Sequence, residues 1–522
     1  MTILGIGGVL NDAAVAVVRD GKLVAAIEQL KLTRASKLGE LPLAAMNEAL
    51  RIAGVTFAEV DCVALVRPLG RGADTDLYLA LRALLPNAHV LLVDHHTAHA
   101  ASAFYASPFE RATVLTLDRG GDLRCGALWR GEGGDLRVQK ELYFADSLGD
   151  LYGRVTALLG FEPNADEHKV QWLSASGSDR LVPLFQSIIG SAWPRVDRSF
   201  FDGHRPAQGG FSSRFYEALG LADGAEIPAG MRADVARGIQ GALEHIVIEM
   251  GGTGENLALA GGLALNVLLV AALERSGRWK NVFVQPAAGN SGTSIGAALY
   301  SWHGHHGQTK RVDLGGLLLG PVYTAEETKQ VLENCKLSFR YMLTTSELVV
   351  RAVEELNVNK IIAWMHGRME FGPRALGNRS ILASPLNPYS TENLNQFIKH
   401  RESFRKFAAS VPAEFADKYF EAGPNARYLS TVSRIRPEHR ETFQPAVLGD
   451  GWIRVHTVHK EDNPLYWELL QAFGKSTGLP VLYNTSFNLF GDPLVCSPRD
   501  AVRSFYSSGI DSLFCGQFLL QK

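Results

Sequence analysis

Leu257-Ala258-Leu259-Ala260 is a short apolar run that stops at the pair Gly261-Gly262, and this junction restricts the fold more than any other stretch of the chain. A run of this length closed by glycine reads as a buried strand, and Leu263 to Glu274, which carries Asn266, reads as the helix that follows. The pattern then repeats. Val282 to Gln285 is a second strand, Pro286-Ala287-Ala288-Gly289-Asn290-Ser291-Gly292 a second Gly-rich turn, and Ser294 to Tyr300 a second helix, built of small residues. Glycines at strand-to-helix turns let the backbone approach a nucleotide, with N–H groups and the helix N-terminus facing its charge. Gly261, Gly262, Asn266, Gly289 and Gly292 are therefore candidate nucleotide contacts, although a single Gly-rich turn is often only a turn. The alternation of strands and helices puts the chain in the α/β class.

The N-terminal stretch adds to this. Ile3 to Ile6 reads as a strand entering a Gly-Gly turn, and Ala13 to Val18 and Lys22 to Ile27 as strands flanking the turn Arg19-Asp20-Gly21. Leu43 to Ile52 has helical periodicity, and Val60 to Val66 and Val90 to Val93 return as strands. Thr113 to Leu117 and Arg124 to Arg130 form a second hairpin around a Gly-rich turn. Two such hairpins are the repeated half of an actin-like, sugar-kinase-like nucleotide fold, in which the two turns grip phosphates from opposite sides. A length of 522 residues exceeds what one core usually serves. His303-Gly304-His305-His306-Gly307 reads as a solvated connection, followed by helices over Ala325 to Cys335 and Thr345 to Leu356 and a new strand from Lys360. These mark a domain boundary near residue 340.

A formal net charge of −2 removes any bulk electrostatic argument for nucleic acid or an acidic membrane surface. The start MTILGIGG has no charged n-region, and no long uncharged apolar run indicates a membrane span. Cys62, Cys125, Cys335, Cys496 and Cys515 form no C-x-x-C pair and read as reduced thiols in a cytoplasmic protein.

Two constellations carry chemistry. The first is Asp94-His95-His96-Thr97-Ala98-His99-Ala100, followed some twenty residues later by Leu117-Asp118-Arg119-Gly120-Gly121-Asp122. If His95 to Ser107 is a helix, His95 and His99 project from one face a turn apart and can share a metal ion. Asp118, at the end of the apolar strand from Ala112, is placed to add a carboxylate. The bland alternative is a His pair that caps or packs a helix. The second constellation lies beyond residue 360: Phe371-Gly372-Pro373-Arg374-Ala375-Leu376-Gly377-Asn378-Arg379-Ser380, then Lys399 to Phe407, then Tyr483-Asn484-Thr485-Ser486-Phe487-Asn488. Arg and Lys beside Gly, Ser and Asn suit a phosphate-bearing substrate, because guanidinium forks and backbone N–H groups match phosphate oxygens. A basic surface face is the alternative; the interleaved Phe371, Phe404, Phe407 and Phe487 argue for a semi-buried cleft.

At this point the chain resembles the O-carbamoyltransferases of antibiotic and nodulation-factor biosynthesis, over nearly its whole length. The resemblance is carried by HHTAHAASAF, SLGDLYGRVTALLGF, ALAGGLALN, VQPAAGNSGTSIGAALY, GRMEFGPRALGNRSILASP, KHRESFRKFAASV and PVLYNTSFN. It implies an actin-like (ASKHA), two-lobed domain of the tRNA-threonylcarbamoyl-transferase type over residues 1–340, followed by a smaller YrdC-like α/β domain over 341–522. It further implies that carbamoyl phosphate and ATP give carbamoyl-adenylate in the second domain. The first domain then passes the carbamoyl group to a hydroxyl of a small-molecule acceptor. By matched motif the metal ligands would be His95, His99, Asp118 and, at the place of a family Asp, Asn290. The metal would be iron(II) first, with manganese or zinc as alternatives, acting as a clamp and Lewis acid on phosphate oxygens, with magnesium accompanying ATP. The adenylate-forming site would use Arg374, Lys399, Arg405 and Ser486, with Asn484 adjacent.

The departures from the family pattern cluster. Asn11-Asp12-Ala13-Ala14 stands where the family has His-Asp-Ser/Ala-Ala, and an amide cannot take a proton at neutral pH, which leaves Asp12 as the nearest candidate base. Glu28-Gln29-Leu30-Lys31-Leu32-Thr33-Arg34, Ser36 and Glu167-His168-Lys169-Val170-Gln171-Trp172-Leu173 differ as well. The changes fall on the transfer half and spare the activating half. Three readings follow: a carbamoyltransferase acting on a hydroxyl, a relative with an altered second half-reaction such as an amine acceptor, and a nucleotide-binding partner of an active homologue. A homodimer or a homologous partner chain is compatible with each.

Overall fold

The computed structural model describes residues 1–522 except 36–37, 68–72, 205–206 and 490, so Ser36 lies outside the described residues. The first sheet contains β1 (Thr2–Gly7), β2 (Ala14–Arg19), β3 (Lys22–Glu28), β4 (Cys62–Val66) and β5 (His89–Val93), in the order β3-β2-β1-β4-β5. β1, β2 and β3 are antiparallel, whereas β4 and β5 run parallel to β1. The second contains β6 (Arg111–Gly121), β7 (Arg124–Glu132), β8 (Asp135–Tyr143), β9 (Gly254–Ala260) and β10 (Trp279–Val284), in the order β10-β9-β6-β7-β8. It repeats the same plan: an antiparallel β6-β7-β8 meander with β9 and β10 parallel to β6. Two sheets with one connectivity are the duplicated, actin-like arrangement that the hairpins announced, and the assignment stands on this strand order.

The register corrects one expectation. Thr2 pairs with Arg19 and Gly7 with Ala14, so the turn Arg19-Asp20-Gly21 lies at the far end of the sheet from the Gly8–Ala13 turn. In the repeat, the counterpart of the turn after β6 is Gly8–Ala13, which follows β1. The Asp20 turn instead ties down the N-terminus, Met1 nitrogen to Asp20 at 2.6 Å. The D-G signal marked a hairpin correctly but could not reveal which end of the sheet it closes.

The His95–Phe104 helix follows β5 and the Thr293–Tyr300 helix follows β10, and the two pack together between the sheets. The approach is close enough that a side chain at Gly296 would run into the Ala98 carbonyl. His303 is not in a solvated loop: the helix continues as a π turn over Ser301–His305, and His303 is 3 % exposed with Nδ1 2.7 Å from the Gln308 carbonyl.

The rest of the chain forms one mixed ten-stranded sheet, the second α/β unit that was expected. Its strands are β11 (Arg340–Tyr341), β12 (Ile362–Met365), β13 (Arg379–Ala383), β14 (Ala408–Pro412), β15 (Phe420–Glu421), β16 (Val432–Ile435), β17 (Trp452–Val458), β18 (Leu482–Ser486), β19 (Ser512–Cys515) and β20 (Phe518–Gln521). The order is β11-β20-β19-β12-β13-β18-β14-β17-β16-β15. Separate apolar clusters fill its two faces, one around Ile381, Ala409, Val455 and Tyr483, the other around Trp364, Leu470 and Phe473. Among the described residues no helix is long and apolar enough to cross a membrane.

Candidate functional site

His95 opens its helix and is held there by its own N–H, which donates to Asp122 Oδ2. One turn on, His99 points the same way. Asp118, near the end of β6, completes the group: its Oδ2 is 2.9 Å from His95 Nε2 and 3.1 Å from His99 Nε2, and the two nitrogens are 3.1 Å apart. Two nitrogens and one carboxylate oxygen thus converge on one point, a mixed donor set that fits a borderline divalent metal. Burial would raise the Asp118 carboxyl, but the bonds to the two imidazoles outweigh it and hold the group well below the usual carboxylate range. His96, between the two, turns into the core with Nδ1 3.1 Å from Thr116 Oγ1, and burial drives its pKa down to about 3. It belongs to the scaffold. Asn290 stands in the turn before the Thr293–Tyr300 helix, beside the Gly7 end of β1, with its carbonyl accepting from Thr293 Oγ1 at 2.5 Å.

The Gly-rich turns meet at this cluster. Gly261 has φ 96°, donates its N–H to the Ala288 carbonyl at 2.9 Å, and leaves no room for a Cβ against the Leu117 backbone. A Cβ on Gly262 would sit 3.0 Å from Asp118 Oδ1, and one on Gly289 would touch Leu265. Gly292 is packed against the Ala287 carbonyl. Asn266 is not inside a helix as expected: Gly262–Leu265 forms a 3₁₀ turn and Asn266 caps the Val267–Arg275 helix. Its Oδ1 accepts from the Leu268 and Leu269 N–H groups and its amide pairs with Gln240, so the side chain is committed to the scaffold. Asp12 lies exposed in the turn after β1; partial loss of solvent around its carboxyl, and then the charge of Asp118, raise it above the ordinary value. Asn11 is exposed beside it.

On the other side of the Gly261–Leu265 turn stands the second constellation. Arg374 rides on the Gly372–Ser380 loop, which Glu370 organises from inside: its Oε1 accepts the N–H groups of Leu376, Asn378 and Arg379 at 2.8–3.0 Å. Arg379 is fully buried and donates to carbonyls that include His366 and Asn378. It is part of the frame, whereas Arg374 reaches across to the Leu265 carbonyl at 3.2 Å. Burial pulls the Arg374 guanidinium down to about 10. Lys399 ends the Leu394–Lys399 π turn, Arg401 and Arg405 follow it, and Arg454 comes from β17. Burial lowers every one of these four, and their mutual repulsion lowers Lys399, Arg401 and Arg454 further, Arg401 to about 9. Glu402, 3.9 Å from Arg405, is a carboxylate in this group, and Lys169 takes it at 2.9 Å. A cluster of half-buried, under-neutralised cations suits an anion with several charges.

Within the cluster the expected residues divide. Lys399 does not reach outward: its ammonium is engaged by the carbonyls of Ser486 and Asn488 and by Asn488 Oδ1, at 2.5–2.8 Å. Ser486 Oγ donates to the same Asn488 Oδ1. Asn484 donates to Ala375 O and Ser410 Oγ and leaves its Oδ1 buried without a partner. Of the aromatics, Phe371, Phe407 and Phe487 are buried, and Phe404 packs in a small group with Trp172 and Trp452. Arg454 was not legible beforehand: alternation along Trp452-Ile453-Arg454-Val455 reads as a strand with an outward charge. It lies 4.7 Å over the Trp172 ring, on the helix Glu167–Ser174 that the first half of the chain lays against the cations.

The segment Glu28–Arg34, one of the departures, joins the two halves. Glu28 and Lys31 form an ion pair, Gly372 N–H donates to Glu28 Oε2 at 3.2 Å, and Lys31 donates to the Gly372 carbonyl. Arg34 donates to the carbonyls of Pro493 and Leu494, each at 2.8 Å. A separate cavity of 850 Å³ runs beside β10, lined among others by Phe109, Phe283, Tyr428 and Trp452, and includes no residue of either constellation.

Residues 79–299 match the family model described as carbamoyltransferase N-terminus, and residues 353–522 that described as carbamoyltransferase C-terminus. The chain is 34 % identical to the uncharacterized protein sll1178 of Synechocystis, covering all of this chain and 96 % of that one. It is 32 % identical to the nodulation protein NolNO of Sinorhizobium fredii, over 98 % of this chain and 79 % of that one. To the 3'-hydroxymethylcephem-O-carbamoyltransferase of Amycolatopsis lactamdurans it is 30 % identical, over 52 % and 49 %. Among solved structures, HypF of T. kodakarensis aligns with TM-score 0.36 at 17 % identity, over 59 % of this chain and 48 % of that one.

Proposed function

The chain belongs to the carbamoyltransferase family, and from that premise we propose that it couples ATP to carbamoyl transfer onto a hydroxyl of a small natural product. On this reading residues 341–522 form the activating unit and residues 1–340 the transferring one. In the activating unit, carbamoyl phosphate loses phosphate to water, and the resulting carbamate oxygen attacks the α-phosphorus of ATP. Pyrophosphate leaves and carbamoyl-adenylate remains. Arg374, Arg401, Arg405 and Arg454 neutralise the phosphates and the charge that grows on the transferring oxygens. Lys399, Ser486 and Asn484 shape the floor of this site. The observation that carries the reading is the Gly261–Leu265 turn: Gly262 lies against Asp118, and the Leu265 carbonyl holds Arg374. One turn of chain therefore separates the anion site from the metal cluster.

In the transferring unit the backbone of Gly261, Gly262 and Gly289 accommodates the nucleotide, and Asp12 takes the proton of the acceptor hydroxyl as its oxygen attacks the carbamoyl carbon, the bond to the phosphate oxygen breaks and AMP leaves. Its raised carboxyl is a better base than an ordinary aspartate. His95, His99 and Asp118 would hold an iron-type divalent metal, with Asn290 nearby, and that metal would supply Lewis-acid clamping of phosphate oxygens. Magnesium would accompany ATP. The amide at Asn11 favours a second reading, in which the acceptor is an amine that needs less help losing its proton.

The test separates the halves. Pyrophosphate release from ATP should depend on carbamoyl phosphate, fall by roughly 30- to 1000-fold in Arg405→Ala, and persist in Asp12→Asn while carbamoylation of acceptors is lost. Release that is unchanged in Arg405→Ala removes the cluster from the activating step.

A further inference from the structure

The cation cluster is rich in donors and poor in acceptors, which makes its one unpaired imidazole informative. His168 is the second residue of the Glu167–Ser174 helix, whose Lys169 pairs with Glu402 and whose Trp172 lies under Arg454. His168 Nδ1 is 3.0 Å from the Ala165 carbonyl oxygen. A carbonyl only accepts, so Nδ1 carries the proton and Nε2 presents its lone pair. That Nε2 is buried and has no partner. Burial, then the charges of Arg405 and, more weakly, Arg374, push the ring down to about 4, so it stays a neutral acceptor at working pH.

The fully ionised phosphoryl group of an acyl phosphate cannot use such an atom, because its oxygens are acceptors themselves. Phosphate oxygens pair with the guanidiniums of Arg374, Arg401, Arg405 and Arg454. The lone pair of His168 needs an N–H or O–H donor carried next to the phosphate. Carbamoyl phosphate offers one in its amide NH₂; acetyl phosphate, with a methyl in the same place, offers none. Asn484 Oδ1, a further buried acceptor without a partner beside the Arg374 loop, is a candidate for the second N–H.

We propose that His168 Nε2 accepts a hydrogen bond from the carbamoyl NH₂ and so selects carbamoyl phosphate against acyl phosphates of the same shape. This rests on the activating function proposed above. A buried acceptor left facing a methyl group loses its water partner and gains nothing, the kind of mismatch by which polar sites reject analogues strongly.

The experiment uses the full chain with carbamoyl phosphate, acetyl phosphate and inorganic phosphate as probes, reading binding by calorimetry and KM by pyrophosphate release. Wild type should favour carbamoyl over acetyl phosphate by roughly tenfold or more. His168→Phe should weaken carbamoyl phosphate by roughly 10- to 100-fold, mainly in KM, while acetyl phosphate stays within about twofold. His168→Gln, whose side-chain oxygen also accepts, should recover part of the preference. Should His168→Phe fail to fold, His168→Met carries the same expectation. Equal weakening of all three probes overturns the proposal, since His168 would then serve the phosphate or the fold. Wild type that binds inorganic phosphate but not carbamoyl phosphate overturns the activating reading and this inference together.

Discussion

Replacing Arg454 with methionine should make the protein more stable and worse at binding anions. Arg454 faces Arg374, Arg401 and Arg405, and its Nε has no hydrogen-bond partner. At an effective dielectric near 20, a like-charge pair about 8 Å apart costs about 2 kcal/mol, so three such pairs set an upper bound of about 6 kcal/mol. Against this stands the stacking on Trp172 at 4.7 Å, a contact of about 1–2 kcal/mol, which the methionine stem partly keeps. Relaxation and solvent reduce the repulsion, and a net gain of about 1–3 kcal/mol remains, near 1–2 °C per kcal/mol for a chain this long. Thermal unfolding of wild type and Arg454→Met, each with and without millimolar pyrophosphate, reads both effects. The variant should unfold at a higher midpoint without pyrophosphate, and its rise on adding pyrophosphate should be much smaller than that of wild type. Added sodium chloride should narrow the difference by screening. A variant that is destabilised yet responds normally to pyrophosphate refutes the argument: Arg454 would then be a packing strut on Trp172, and the cations would not form an anion site.

The His95–His99–Asp118 group and the buried histidines give two more expectations. Asp118→Asn should abolish metal retention and Asn290→Asp should increase it, read by elemental analysis of protein purified without chelator; occupancy that is indifferent to both changes means the three donors hold no metal. His366 and His456 are both driven to about 3, chiefly by burial, then by Arg379 and His459 respectively. The unfolded chain binds protons on them below about 6.5 and the native state does not, so stability is complete above that pH and drains as pH falls towards 3. Two such groups cost about 3 kcal/mol between pH 6.5 and 5, and urea unfolding midpoints that do not drop over this range would refute the assignment.

What the sequence revealed followed from local periodicity. The His95–Phe104 helix, the strand leading to Asp118 and the two strand–glycine–helix units are each written in consecutive residues, so spacing alone placed His95, His99 and the turn glycines. The strand register was not local, and the Asp20 turn was therefore assigned to the wrong end of its sheet. Asn266 illustrates a second limit: the same Asn serves a ligand or caps a helix, and only the partner Gln240, 26 residues away, decides between them. Arg454 and Glu370 escaped because their significance lies in neighbours brought from other strands. The segment from Glu28 to Arg34 showed as a departure in composition, but that it fastens the first sheet to the Gly372 loop is a tertiary fact.

The Gly261–Leu265 turn has a kinetic consequence. Mixed anhydrides of carbamic and phosphoric acids decompose in water, so an enzyme that makes one must win a race between hydrolysis and capture. With the turn touching Asp118 at one end and Arg374 at the other, the species has only a short path between the proposed sites. On the reading proposed above, little of it should escape to the medium: a scavenging nucleophile in solution should intercept almost none while an acceptor is bound. Pushing the turn away from Asp118, as the added Cβ of Gly262→Ala would, should open the leak, with ATP consumed faster than acceptor is carbamoylated.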